Sequence, residues 1–146
     1  MSISNLSAAQ IGALSVSTIQ NLTTTQIASL NATQAGAIST SGIAALSETQ
    51  VGAFTSTAVK GLTANQIPNL GDGVMFSAGQ LAMFSASQMQ AFTSTQLDEL
   101  DAAHMDALKA TQLAALSATN FASLDATQVG ELDATQLKGL TVTQMK

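Results

Sequence analysis

The stretch Leu22-Thr23-Thr24-Thr25-Gln26-Ile27-Ala28-Ser29-Leu30 holds the plan of the whole chain, and Leu108-Lys109-Ala110-Thr111-Gln112-Leu113-Ala114-Ala115-Leu116 states it again. Working outward, the closing leucine recurs every eight residues at Leu6, Leu14, Leu22, Leu30, Ile38, Leu46, Phe54, Leu62 and Leu70. After a short interruption the series resumes at Phe76, Phe84, Phe92 and Leu100 and continues through Leu108, Leu116, Leu124, Leu132 and Leu140. A second apolar series lies three residues before the first, from Ile11, Ile19 and Ile27 through to Val129, Leu137 and Met145, with Ala35 its one small member. A repeat this complete is read before any isolated motif.

The unit is cap-x-x-Gln-Φ-x-x-Leu, where Φ is apolar. Its first position is Ser, Thr, Asn or Asp in every octad but the one opened by Lys109, and its fourth is usually Gln. That is the spacing of a capping box: the first side chain accepts from the backbone N–H three residues on, and the Gln side chain reaches back to the first residue's own N–H. Each octad therefore opens its own helical turn.

One continuous helix is excluded by its periodicity. At about 100° per residue, eight residues overshoot two turns by about 80°, so the leucines would wind around the cylinder and leave no apolar face. Ser, Thr, Asn and Asp inside a helix would also compete with its backbone. Coiled coils need periods of seven or eleven. In a strand, spacings of three and five put Φ and Leu on opposite faces, although the Thr, Ile and Val content keeps a β-solenoid as the alternative. Ordering eight residues costs more than burying two side chains returns, so the turns must stack on one another. The position before Leu is mostly Ala, Ser, Asn or Gly, as close approach between windings requires, with Met83, Glu99 and Glu131 as exceptions. The sequence thus predicts an all-α fold: a solenoid of very short stacked helices, one per eight-residue repeat, in two eight-repeat halves.

These repeats form a single repeat domain over residues 1–146, with half 1 at 1–70, a junction at 71–76 and half 2 at 77–146. The register slips at Gly71-Asp72-Gly73-Val74-Met75, where six residues rather than eight separate Leu70 from Phe76. Gly71 and Gly73 permit positive φ there, and Pro68 restricts the chain just upstream. Phe54, Phe76, Phe84 and Phe92 lie near the slip. They read as larger side chains filling a larger space, with an aromatic ligand pocket as the alternative.

Composition narrows the function. With 146 residues, four lysines, no arginine and a net charge of −5, the chain lacks the clustered cations that phosphate binding needs, so no nucleic-acid partner is expected. A hydrophobic share of 46% argues against disorder. No cysteine is present, which removes disulfides and thiolate metal sites. No apolar run reaches the length of a membrane span. The N-terminal Met-Ser-Ile-Ser-Asn-Leu has no basic segment followed by an apolar one, so any export is expected without a Sec-type signal.

A search for chemistry finds little. His104 stands where Gln normally caps, and it reads as a capping substitute rather than a general base; alone it cannot build a zinc site. Asp98, Glu99, Asp101 and Asp106 crowd one stretch. They read as a solvated face, with a weak calcium site as the functional alternative, but the EF-hand spacing is missing. No nucleophile elbow and no isolated carboxylate pair occurs. The expectation is a non-enzyme with no cofactor, no metal and no small-molecule substrate.

Repeat proteins usually finish in polar caps. Here Met1–Leu6 match positions three to eight of an octad, with Ile3 as Φ and Leu6 as the closing leucine, and Thr141–Lys146 match positions one to six, with Gln144 and Met145 in place. Ile3, Leu6, Thr141, Gln144 and Met145 are accordingly the candidate assembly residues, and copies of the chain the candidate partner, since a heterologous contact that does not close makes a fibre. A monomer with frayed ends is the alternative.

The two quoted units resemble the tandem L-T-T-x-Q-I-x-A-L arrays of large bacterial secreted or surface proteins, often described as adhesin-like or haem-utilisation-like. The resemblance spans essentially the whole chain. It implies a bacterial extracellular or cell-surface location and a structural role, and it carries over no catalytic residue. The chain departs from such arrays in its shortness and in the 71–75 interruption. The function expected is a self-assembling, head-to-tail subunit of an extracellular filament, matrix or surface appendage. An α-solenoid scaffold binding a protein or peptide is the second reading, and an array without a function of its own the third. Positions two, three and six, mostly Ala, Ser, Thr and Gly, lack the large or charged side chains that a binding face would concentrate, and so favour packing against like surfaces.

Overall fold

The computed structural model describes residues 2–71 and 76–146 and divides into two compact units, Met1–Gly71 and Asp72–Lys146. The first unit runs through a 3-10 turn at Ile3–Asn5 and helices α1 (Ala8–Gly12), α2 (Val16–Gln20), α3 (Thr24–Ala28), α4 (Ala32–Ala37), α5 (Thr40–Ala44), α6 (Glu48–Gly52) and α7 (Ser56–Val59), then a 3-10 turn at Ile67–Asn69. The second holds α8 (Ala78–Leu81), α9 (Ala86–Gln90), α10 (Ser94–Asp98), α11 (Ala102–Ala107), α12 (Ala110–Ala115), α13 (Ala118–Ala122), α14 (Ala126–Gly130) and α15 (Ala134–Lys138). Among the described residues there is no strand, so the β-solenoid alternative falls.

Each helix is short because each octad both starts and stops it. Ser7 sits in extended backbone (ψ 162°), and its side chain accepts from the Gln10 N–H while Gln10 closes the box in return. In that box the Ser7 N–H donates to Gln10 Oε1 at 2.8 Å, and the Gln10 N–H donates to Ser7 Oγ at 3.2 Å. Four residues later the turn is already ending. The Leu14 N–H donates to the Ile11 carbonyl at 3.1 Å, a tightened 3-10 bond, and the same closure recurs at Leu22, Leu30 and Leu124. Ser15 then restarts the chain in extended backbone at ψ 155°. Where Lys109 opens an octad no side chain caps the helix, yet the Gln112 side-chain oxygen still receives the Lys109 N–H at 2.8 Å.

The octad at 63–70 departs from the expectation of one α-helix per repeat and forms only a turn and the 3-10 segment Ile67–Asn69. Pro68 occupies the sixth position, where it has no N–H to donate back along a helix. Thr141–Lys146 likewise forms a turn without a helix. Among the described residues no glycine has positive φ, so Gly71 does not use the freedom expected of it; Gly73, with the rest of 72–75, lies outside the described residues.

In both units helices stack three apart: α1 on α4, α2 on α5, α3 on α6 and α4 on α7 in the first, and α8 on α11, α9 on α12, α10 on α13 and α12 on α15 in the second. From Ala8 to Ala32 is 24 residues, so one winding takes three octads. The Φ side chains form the core between windings, with Ile11 and Ile19 at 1% exposure and Ile27, Val51, Leu97 and Leu113 at 0%. The demand for small residues before the closing leucine is visible at Gly61. A Cβ there would collide with the Ala32 backbone of the preceding winding, and at Gly139 it would lie 2.6 Å from the Ala110 Cβ.

Candidate functional site: the contact between windings

The recurring polar element of the fold is the fourth-position glutamine, and it plays two roles rather than the one the capping box assigns. Gln112 accepts the Lys109 N–H with its amide oxygen, and its amide nitrogen donates to the carbonyls of Leu81 and Phe84, both at 2.9 Å. Those carbonyls lie 31 and 28 residues earlier, one winding below. The same reach joins Gln66 to Ala35 and Ile38, Gln128 to Leu97 and Leu100, and Gln136 to Met105 and Leu108, at 2.6 to 2.9 Å. Gln34 and Gln50 do the same to Leu6 and Leu22. These amides are buried, Gln66 and Gln112 at 2% exposure. The acceptors are orphan carbonyls at the end of a helical turn, which a buried chain must satisfy. No described buried side-chain N or O lacks a partner.

The sequence carried a signal for this second role. Glu would complete a capping box as well as Gln, yet no fourth position holds one. Two of the substitutes are donors. Asn120 Nδ2 donates to the Phe92 carbonyl at 2.6 Å. His104 occupies the same slot, with Nε2 at 2.8 Å from the Phe76 carbonyl and Nδ1 at 2.6 Å from Asp101 Oδ1. Its ring thus meets the earlier winding as a glutamine amide would. The His104 backbone N–H also donates to Asp101 Oδ1 at 3.0 Å. That bond, followed by the ring contact, holds the Asp101 carboxyl below its ordinary value.

Asp98, Glu99, Asp101 and Asp106 are all exposed, and among the described residues no cluster of three His, Cys, Asp or Glu side chains suits a metal ion. Phe76, Phe84 and Phe92 are buried and stack on one another, with centroids 4.8 Å apart and edge-on in the first pair, 5.4 Å and tilted in the second. They fill space, as the core reading of the aromatics requires. No helix among the described residues is long and apolar enough to cross a membrane.

The candidate assembly residues are placed unequally. The Ile3 side chain is buried within its unit, at 2% exposure, and Leu6 is half-buried. Gln144 is engaged inside the second unit, donating to Leu113 and Leu116 at 2.6 and 3.0 Å, while Thr141 and Met145 are exposed. Sequence reasoning missed the neighbours of Met145. Val129, Leu137 and Met145 are Φ residues of one winding, yet they are 36%, 43% and 63% exposed. In the winding before, Met105 and Leu113 are sealed at 0% exposure and Phe121 is half-buried.

A fold of octads wound three to a turn and joined by side-chain amides defines a class: the all-α solenoid built of very short helices. Compared with known proteins, the chain matches no family model, no curated protein and no solved structure.

Proposed function

We propose that the chain is a non-enzymatic structural protein that assembles head to tail as a subunit of an extracellular filament, matrix or surface appendage. One observation carries the reading. The winding that ends the second unit presents Val129, Leu137 and Met145 to solvent as a continuation of the repeat, at positions that are sealed at Met105 and Leu113 one winding earlier. Exposed apolar patches of this kind mark association surfaces. The extracellular or surface location rests on the likeness to bacterial surface arrays.

Light scattering over a concentration series, paired with negative-stain microscopy, tests the assembly. Elongated particles that grow with concentration are expected. A dispersed 14.8 kDa species at the highest attainable concentration overturns the proposal. Fractionation of the producing cell tests the location, and protein confined to the cytosol would remove that part.

A further inference from the structure

We infer that the joint between copies reproduces the contact between windings, the first winding of one copy seating on the exposed last winding of the next; this rests on the assembly reading above. The windings have two unlike faces. One face carries the Φ side chains and the carbonyls of Φ and of the closing leucine. The other carries closing leucines and the amide donors. Inside the second unit these faces meet where Gln128 and Gln136 donate to the carbonyls of Leu100 and Leu108, at 2.8 and 2.6 Å, over the sealed Φ side chains of Leu97 and Met105.

Each face is also found uncovered, at opposite ends of the sequence. Val129 and Leu137 are exposed Φ side chains, and among the described residues the Leu132 and Leu140 carbonyls beside them receive no side-chain amide. At the other end Gln10 is exposed. It completes the capping box with Ser7, but among the described residues its amide nitrogen meets no carbonyl. Beside it Leu14, Thr18, Leu22 and Gln26 line an open concavity of about 360 Å³. One face thus offers apolar knobs and acceptors, the other an apolar hollow and a donor. They are the two halves of a contact that the fold makes repeatedly, so the occupant that fits is a second copy of this chain. The joint is polar: like faces bring acceptors to acceptors, and only head to tail satisfies both. It uses neutral hydrogen bonds and apolar burial, and depends on no ion pair.

Two blocked variants test the joint. Val129→Lys with Leu137→Lys closes the acceptor face, and Leu14→Lys with Thr18→Lys closes the donor face. Each alone is expected to stay at 14.8 kDa with an unchanged helical circular dichroism spectrum. Mixed in equal amounts, they retain one open face each and form a species of twice that mass and nothing larger. Gln10→Glu supplies an arm that leaves the core untouched. It keeps the oxygen that receives the Ser7 N–H and replaces the donor, so the polymer's critical concentration should rise about tenfold or more with monomer stability unchanged. Wild-type polymers together with blocked variants that polymerise equally well would overturn this joint while sparing the assembly reading. A wild type that never polymerises overturns the assembly reading itself.

Discussion

Replacing Gln112 by glutamate separates the two roles of the fourth-position side chain. Glutamate keeps an oxygen for the Lys109 N–H but sets a carboxylate against the Leu81 and Phe84 carbonyls, each 2.9 Å from the present amide nitrogen. The Leu81 carbonyl retains the Phe84 N–H at 3.1 Å. The Phe84 carbonyl therefore bears most of the loss, about 1–3 kcal/mol for a buried acceptor left unmet. At 2% exposure the new charge has no partner, and uncompensated buried charges cost about 3–5 kcal/mol. Gln112→Glu should thus destabilise the second unit by about 3–5 kcal/mol at neutral pH. Gln112→Ala, which loses both the cap and the reach but adds no charge, should cost about 2–4 kcal/mol. The carboxyl of the variant would have its folded-state pKa raised by burial and by the carbonyls it faces. Its penalty is then small at acid pH and grows as pH rises above the unfolded-state value, because the protonated acid can donate to one carbonyl. Urea unfolding of the three proteins at neutral and mildly acid pH measures this. Equal stability of wild type and Gln112→Glu at neutral pH would refute the claim that the amide donates between windings.

Gly61→Ala should destabilise the first unit by about 1–3 kcal/mol through its collision with Ala32, whereas Gly52→Ala, whose Cβ meets nothing within 4 Å, should be neutral or stabilising by about 0.4–1 kcal/mol; thermal melts of the pair decide. The Asp101 carboxyl is held below its ordinary 3.8 chiefly by the His104 backbone N–H and then by the ring, so its contribution is fully present above that pH and is lost as pH falls through the depressed folded value. Acid melts should show this loss in the wild type and not in Asp101→Asn, which keeps a capping oxygen. His104→Gln should leave stability within about 1 kcal/mol, since the repeat's own amide can meet the Phe76 carbonyl, while His104→Leu should cost about 1–3 kcal/mol in denaturant unfolding.

The octad, its caps and its two apolar series were legible because each is a local statement: Ser7 and Gln10, three residues apart, can only serve a turn that begins between them. The number of octads per winding was not legible, because nearly identical units give no preference for a neighbour two, three or four away. The information sits in exceptions, where Gly61 is small because Ala32 lies beneath it and Gly139 because Ala110 does. Pro68 announced a departure, and its octad does lose its α-helix. Of the candidate assembly residues, Ile3 is the first Φ of the series, and a Φ side chain faces the following winding and is covered by it. For the same reason the exposed members of the series are Val129, Leu137 and Met145.

Three octads to a winding also sets what kinds of duplication the gene can accept without repair. A segment of eight residues inserted between Ala32 and Gly61 preserves every cap, but it turns all later octads by one side and parts that glycine from its alanine. A duplicated segment of 24 residues that includes Ala32 restores each octad to its old side of the coil and sets the copied alanine beneath Gly61. Growth of such a chain should therefore proceed by whole windings wherever a glycine has been fitted to a particular alanine, and octad by octad elsewhere.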